Sequence, residues 1–288
     1  MSRLPAKVVA MSLSLAALFT TGCESLLFGF ANRGLAPPDA TAIHAPRHGL
    51  SLDVYRPVDG PTDASGAAPV VVFFYGGAWQ RGARNQYRFV GRRLADNGIL
   101  AIVADYRTWP DAGFPAFMAD AASAVAWARA HAGAHGGDPG RVYVAGHSAG
   151  AQIAALLATD PRYLAAQGLR PQDLAGVIGL AGPYDFYVGD AYGKIFGPPD
   201  QWPLAQAVNF VDGDEPPFLL IHGRDDRVVE ARDSGQLAAL LREHGVAVEL
   251  LLLPGGHDAP LLALYDPDRK PRVLPAIREF VSGTSAPR

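Results

Sequence analysis

The sequence has little charge, a single cysteine and no excess of positive charge. Charged residues make up 18% of the 288 positions and hydrophobic residues 49%, so the chain can bury a large core and is not a disordered protein. One cysteine can neither close an internal disulfide nor form a multi-cysteine zinc site. A net charge of −3 provides no basic surface for a phosphate backbone, so we expect no nucleic-acid partner.

The N-terminal segment has the pattern of an export signal. Arg3 and Lys7 precede residues 8–19, which form an uncharged and mainly apolar run. This run is too short to span a bilayer comfortably but suits the apolar core of a signal peptide. Cys23 follows shortly after the run, directly behind a glycine, and this stretch resembles a bacterial lipobox.

The lipobox resemblance implies that residues 1–22 are removed and that Cys23 carries the lipid. The protein would then be exported and anchored to the membrane of the bacterial cell envelope. The alternative is an ordinary signal peptide, which would leave a soluble periplasmic or secreted protein. Residues 23–46 are interpreted as a tether and entry segment, and residues 47–288 as the folded domain.

Beyond the tether, apolar strand-like runs alternate with helical patterns. This alternation predicts an α/β fold with one mostly parallel sheet flanked by helices. Residues 183–216 break the rhythm with many glycines, prolines and aromatic residues, and they are interpreted as a short cap or lid insertion. The predicted strands are 50–55, 70–75, 99–104, 141–145, 177–181, 218–221 and 246–253, and the predicted helices are 86–97, 114–131, 149–159, 230–244 and 275–281.

The motif Gly-His-Ser-Ala-Gly at residues 146–150 lies between a predicted strand and a predicted helix. A tight strand-to-helix turn at a G-x-S-x-G motif exposes the serine hydroxyl above the sheet. The flanking glycines are expected because side chains there would collide with neighbouring backbone. This context resembles the nucleophile elbow of the α/β-hydrolase superfamily, and the resemblance identifies Ser148 as the nucleophile.

In α/β-hydrolases the serine is followed along the chain by an acid and then by a histidine. His257 ends the glycine-rich turn after the last predicted strand, so it is the predicted base. Asp225 and Asp226 both follow the preceding strand. The stretch 222–229 resembles the hydrolase pattern His-Gly-x-x-Asp-x-x-Val, which places the acid at Asp226 and leaves Asp225 as the alternative.

A second glycine-rich turn follows the strand at residues 70–75. The sequence Tyr-Gly-Gly-Ala-Trp at residues 75–79 resembles the His-Gly-Gly-Gly loop of hormone-sensitive-lipase and feruloyl-esterase-like (BD-FAE-like) carboxylesterases. The resemblance implies an oxyanion hole formed by the backbone N–H groups of Gly77, Ala78 and Ala149. Tyr75 replaces the histidine of that loop and Ala78 its third glycine. Tyr75 and Trp79 are candidate substrate-pocket residues.

These motifs together predict a serine hydrolase that cleaves small carboxylic esters through a Ser-His-Asp triad and an acyl-enzyme, with no cofactor and no metal. The methyl group of Ala78 and the aromatic cap favour short acyl groups. An amidase or arylformamidase, or a small peptidase, would use the same triad, so these remain alternatives. A non-catalytic binding protein of hydrolase fold is a more distant alternative.

Asp105, Arg107 and Asp120 are interpreted as structural charges. The oligomeric state cannot be deduced from the sequence.

Overall fold

The computed structural model describes residues 28–58, 66–266, 268 and 272–283. Within these residues the chain forms one eight-stranded sheet in the order β1-β2-β4-β3-β5-β6-β7-β8. The two pairs at one edge, β1 with β2 and β2 with β4, are antiparallel, and every other neighbouring pair is parallel. The predicted α/β-hydrolase fold is confirmed. The strands are β1 (Ala40–Ala45), β2 (Leu50–Tyr55), β3 (Ala68–Phe74), β4 (Leu100–Ala104), β5 (Gly137–His147), β6 (Gly176–Leu180), β7 (Phe218–Gly223) and β8 (Val248–Leu253).

Helices connect the parallel strands and cover the sheet. The central strands β3, β4 and β6 are buried along their whole length, as expected for strands covered on both faces. Three short helices have no counterpart among the predicted helices: Pro161–Ala165, Gly189–Phe196 and Ala259–Tyr265. The helices are α1 (Arg88–Ala95), α2 (Ala116–His131), α3 (Ala149–Thr159), α4 (Pro161–Ala165), α5 (Gly189–Phe196), α6 (Ala231–Glu243), α7 (Ala259–Tyr265) and α8 (Val273–Ser282).

The sheet begins earlier in the chain than the predicted domain boundary at residue 47. Ala40–Ala45 pairs antiparallel with Leu50–Tyr55 as the outermost strand β1, so part of the predicted tether belongs to the sheet. A short 3₁₀ turn and Gly49 in the left-handed region, with φ 65°, join the two strands. His44 on β1 is buried, with Nδ1 2.8 Å from the Ser123 hydroxyl oxygen on α2. This contact fastens the edge strand to the domain.

The segment between β6 and β7 forms the predicted cap. It contains α5 and two 3₁₀ segments, Pro199–Ala205 and Ala207–Phe210. Phe196, Ala205 and Ala207 are buried, so the cap is packed against the domain.

The predicted signal peptide and Cys23 lie outside the described residues. No helix in the described part of the chain is both long and apolar enough to cross a bilayer. The lipid anchor therefore stays a prediction.

Candidate active site

Ser148 sits at the turn between β5 and α3 in an unusual backbone conformation. Its φ of 53° and ψ of −120° are rare for a residue with a side chain, and such strain is found where the surrounding structure holds the turn. The flanking glycines make the turn possible. A Cβ at Gly146 would lie 2.2 Å from the backbone carbonyl carbon of Gly150, and one at Gly150 would lie 2.1 Å from the carbonyl oxygen of Phe74. The close approach expected from the motif is therefore present.

His257 follows β8 and reaches back to the serine. Its Nε2 lies 2.9 Å from Ser148 Oγ, and its Nδ1 lies 2.8 Å from Asp226 Oδ2. The carboxylate oxygen can only accept a hydrogen bond while it is ionised, so Nδ1 carries the proton and Nε2 is free to accept the proton of the serine hydroxyl. The structure thus brings together the three residues predicted as a triad.

Asp226 is buried but fully hydrogen-bonded. Its Oδ1 accepts the backbone N–H groups of Val228 and Val229 at 2.8 and 3.0 Å. Its Oδ2 accepts from His257 and also lies 3.0 Å from His222 Nε2. Burial raises the pKa of this carboxyl group, but the hydrogen bonds from Val229 and His257 outweigh burial and hold the pKa below its usual value. Asp226 therefore stays ionised at neutral pH.

Two further histidines lie next to the triad, His222 beside Asp226 and His147 beside His257. His222 on β7 is fully buried, with Nδ1 2.7 Å from the Ser234 hydroxyl, and burial lowers its pKa. His147 precedes the serine, and burial lowers its pKa to about 3, so it stays neutral beside His257. The centroids of the His147 and His257 rings lie 5.0 Å apart. The sequence pattern contained His222 but gave no reason to expect its contact with Asp226.

The loop after β3 packs directly against the serine. A Cβ at Gly76 would lie 3.2 Å from Ser148 Cβ. Gly77 has φ 129°, and a Cβ there would lie 2.1 Å from the carbonyl oxygen of Arg81, so only glycine fits. Ala78 follows in the left-handed region with φ 53°.

The predicted oxyanion donors have free amides beside the serine. Within the described residues, the N–H groups of Gly77 and Ala78 have no hydrogen-bond acceptor. Ala149 is the first residue of α3, where backbone amides have no partner inside the helix. Preorganised, unpaired N–H groups beside a nucleophile can bind an oxyanion.

The two candidate pocket residues are buried in the structure. Tyr75 is 2% exposed, its ring stacks on Tyr106 at 4.6 Å between centroids, and its hydroxyl donates to the Tyr106 carbonyl at 3.2 Å. Its side chain therefore supports the loop from inside, and the prediction of a pocket position is corrected. Trp79 is 3% exposed and packs against Phe186, whose ring centroid is 5.2 Å away. It joins the loop to the cap.

The charges interpreted as structural do form ion pairs. Arg107 holds Asp120 with Nη2 2.8 Å from Oδ1 and Nε 2.8 Å from Oδ2. Asp105 pairs with Arg84. In the described residues, no cluster of three or more His, Cys, Asp or Glu side chains could hold a metal ion.

Comparison with known families agrees with this geometry. The model of the BD-FAE family matches residues 52–241, which include the serine, the acid and the glycine-rich loop. The chain belongs to the BD-FAE family. This membership accords with the resemblance to feruloyl-esterase-like carboxylesterases expected from the loop at residues 75–79.

Among curated relatives, this BD-FAE protein is 35% identical over 236 residues to esterase LipC of Mycobacterium tuberculosis, covering 73% of this chain and 57% of LipC. It is 30% identical over 226 residues to a probable isoprenylcysteine alpha-carbonyl methylesterase of Oryza sativa, covering 71% of this chain and 54% of the relative. The chain thus spans little more than half the length of these relatives.

Solved structures share the fold of this BD-FAE protein at lower identity. The acetyl ester-xyloside bifunctional hydrolase from Caldicellulosiruptor lactoaceticus aligns with a TM-score of 0.71 and 23% identity, over 87% of this chain and 98% of that one. The butyrate-bound esterase Est2 from Thermogutta terrifontis aligns with a TM-score of 0.71 and 22% identity, over 86% and 96% of the two chains. These similarities show the α/β-hydrolase fold.

Proposed function

We propose that this BD-FAE family member hydrolyses small carboxylic esters through an acyl-enzyme on Ser148. The observation that carries the proposal is the unbroken hydrogen-bonded chain from Ser148 Oγ through His257 to Asp226, with spacings of 2.9 and 2.8 Å. A serine hydroxyl becomes a useful nucleophile only when a base can take its proton, and this chain supplies that base. The names of the curated relatives, which include LipC as an esterase, support the same reaction class.

In the proposed acylation step, Ser148 Oγ forms a bond to the ester carbonyl carbon while its proton passes to His257 Nε2. The carbonyl oxygen becomes an oxyanion that accepts from the N–H groups of Gly77, Ala78 and Ala149. Collapse of this intermediate breaks the bond to the alcohol oxygen, and His257 returns the proton to that oxygen. Water then repeats the sequence at the acyl-enzyme and releases the carboxylic acid.

Asp226 and His147 would both influence how stable the positive charge on His257 is during these steps. The ionised Asp226 stabilises the imidazolium that forms when His257 takes the serine proton, and it fixes the tautomer that exposes Nε2. His147 stays neutral beside it, because burial lowers its pKa to about 3, so it adds no opposing positive charge.

We also propose a preference for short acyl groups. Ala78 places a methyl group in the loop of the proposed donors, and the aromatic residues of the cap pack against the adjacent Trp79. Each methylene of a longer acyl chain contributes about 0.8 kcal/mol only where it finds buried apolar contact. Measured kcat/KM across p-nitrophenyl acetate, butyrate, octanoate and palmitate should fall with length, and a steady rise to palmitate would refute this preference.

Covalent labelling tests the proposed chemistry directly. A fluorophosphonate should phosphonylate the native protein at a peptide containing Ser148, and Ser148→Ala should remain unlabelled. Labelling elsewhere, or none, would refute the proposed nucleophile. A parallel panel of p-nitrophenyl esters, aryl esters and N-formylkynurenine separates ester hydrolysis from the amide hydrolysis that the same triad could perform.

We further propose that the mature protein is held at the membrane of a bacterial cell envelope through a lipid on Cys23. The support is the sequence pattern, with the only cysteine placed just behind an uncharged apolar run. Cys23→Ser should move the protein from the membrane fraction to the soluble fraction, because the acyl chains supply most of the membrane affinity. Unchanged membrane association of that variant would exclude lipidation as the anchor.

A further inference from the structure

Gln152 is a buried polar side chain that the proposed reaction does not use. It lies on α3, one turn after Ser148, and its side chain is fully buried. Its backbone N–H donates to the Ser148 carbonyl oxygen at 3.2 Å. A buried amide is costly unless its hydrogen bonds are made, so its partners show what it holds in place.

The two ends of this amide bind two different parts of the site. Gln152 Oε1 accepts the indole N–H of Trp79 at 3.0 Å, and Gln152 Nε2 donates to the carbonyl oxygen of Ala205 in the cap at 2.7 Å. The indole can only donate and the carbonyl can only accept, so the amide has a single orientation that satisfies both. Gln152 therefore joins the nucleophile helix, the loop after β3 and the cap.

The loop that Gln152 holds is strained. Ala78 and Trp79 are consecutive non-glycine residues in the left-handed region, with φ values of 53° and 57°. This conformation is unfavourable for residues with a side chain, so the surrounding contacts must hold the loop in it. Trp79 provides these contacts: its carbonyl accepts the N–H of Trp109 at 2.8 Å, and its ring packs edge-on against Phe196 at 4.8 Å between centroids.

We infer that Gln152 is a positioning residue that keeps the oxyanion donors in place by anchoring Trp79 to the cap. This inference rests on the proposed function, since Gly77 and Ala78 are the proposed donors. With the anchor in place, the amides of these two residues are held beside Ser148 before substrate arrives. Without it, the strained loop relaxes and the donors move away from the developing oxyanion.

The variants that test this inference are Gln152→Met, which keeps the length and packing but removes both hydrogen bonds, and Trp79→Phe, which removes the N–H donor. Gln206→Met is the matched control, because Gln206 Nε2 also donates to a cap carbonyl, that of Phe186 at 2.7 Å, whereas the indole N–H of Trp79 donates to Gln152. The rate of p-nitrophenyl acetate hydrolysis is divided by the amount of Ser148 that fluorophosphonate labels when the reaction has gone to completion. A variant that is partly unfolded therefore does not show a falsely low kcat.

Gln152→Met and Trp79→Phe should each lower kcat per titrated site by about 10- to 100-fold with KM within about twofold of wild type, because misplaced donors weaken only the transition state. The double variant should be no slower than the slower single variant, since both changes break one anchor. Gln206→Met should keep kcat within about twofold of wild type, which fits its place outside the anchor.

A wild-type kcat per titrated site in both Gln152→Met and Trp79→Phe would overturn the inference, and so would an equal loss in Gln206→Met. If Gln152→Met does not fold, Trp79→Phe decides between these results. Failure of the proposed function is a different result, because the native protein itself would then be neither labelled at Ser148 nor active on the ester.

Discussion

Asp225 and Asp226 are neighbours in the chain, but their carboxylates bind different parts of the turn that carries His257. Asp226 Oδ2 lies 2.8 Å from His257 Nδ1, whereas Asp225 Oδ2 accepts the backbone N–H of Gly255 at 3.0 Å. Asp226 is buried and Asp225 is exposed. The inner carboxylate thus orients the imidazole, and the outer one fastens the backbone of its loop.

Asp226→Asn should therefore cost far more activity than Asp225→Asn. An asparagine N–H₂ facing His257 favours the tautomer with the proton on Nε2, so kcat/KM should fall by roughly 10³- to 10⁴-fold. Asp225→Asn loses one exposed hydrogen bond and should cost less than about tenfold. Steady-state hydrolysis of p-nitrophenyl butyrate measures both, and the reverse ranking would place the acid at Asp225.

The loop after β3 offers a matched pair of substitutions. Ala78→Gly removes a side chain from the left-handed region and should change the free energy of unfolding by no more than about 1 kcal/mol, in the stabilising direction, because the relief of strain exceeds the added chain entropy. It should also raise kcat/KM for octanoate relative to acetate by removing the methyl group. Gly77→Ala adds a Cβ 2.1 Å from the Arg81 carbonyl oxygen and should abolish activity.

Urea unfolding and the octanoate-to-acetate ratio of kcat/KM test this pair. A large destabilisation of Ala78→Gly would show that the methyl group is needed for packing. Full activity of Gly77→Ala would show that the loop can move away from Arg81.

The glycines of the serine turn should tolerate an added side chain much less well than Gly133, which is exposed. Gly150→Ala places a Cβ 2.1 Å from the Phe74 carbonyl oxygen, so the free energy of unfolding should fall by about 3 kcal/mol or more. Gly133→Ala is the control, because its added Cβ meets no atom within 4 Å, and it should change stability by less than about 1 kcal/mol. Equal urea midpoints for the two variants would contradict the close packing of β3 against α3.

A buried carboxyl group outside the triad gives a pH-dependent prediction. Burial, with the neighbouring Asp185 carboxylate, raises the pKa of Asp233 from 3.8 to about 6. A carboxyl group with a raised pKa stabilises the fold below the unfolded-state value of 3.8, and this contribution is lost as pH rises through about 6. At pH 8 the buried charge therefore destabilises the fold.

Asp233→Asn should remove this penalty. The variant should be more stable than wild type by about 2 kcal/mol at pH 8, and the difference should shrink towards zero as pH falls to 4. Urea unfolding at pH 4, 6 and 8 measures the difference, and Asp185→Asn, which removes only the exposed neighbour, should show a smaller gain. A gain for Asp233→Asn that is the same at all three pH values would contradict the raised pKa.

The sequence was sufficient to predict the residues that local motifs encode. Ser148 lies in a turn whose glycines are dictated by contacts within a few residues, and His257 and Asp226 follow strands whose carboxyl ends meet at one edge of the sheet. The contact between Trp79 and Gln152 depends on how the loop after β3 packs against α3, and no local pattern encodes it. His222 and Asp226 are only four residues apart and both belong to the pattern at residues 222–229, but the pattern does not specify the hydrogen bond between their side chains. Tyr75 was expected in the pocket because it aligns with a loop position, but its ring packs inward against Tyr106.

The edge strand β1 is another element that the sequence pattern did not predict. Ala40–Ala45 has a weakly apolar sequence, and only two of its six residues are exposed in the structure. Its place in the sheet comes from pairing with Leu50–Tyr55 and from the buried His44. Periodicity cannot distinguish such a strand from an entry segment.

Hydrolysis of p-nitrophenyl acetate by the native protein and by Ser148→Ala tests the proposed reaction most directly. The alanine variant keeps the small side chain that the turn accommodates, so it should fold normally, with an unchanged circular dichroism spectrum and urea midpoint. Its kcat/KM should fall by a factor on the order of 10³ or more, because the nucleophile is gone. An alanine variant that folds normally and hydrolyses the ester at the native rate would show that Ser148 is not the nucleophile.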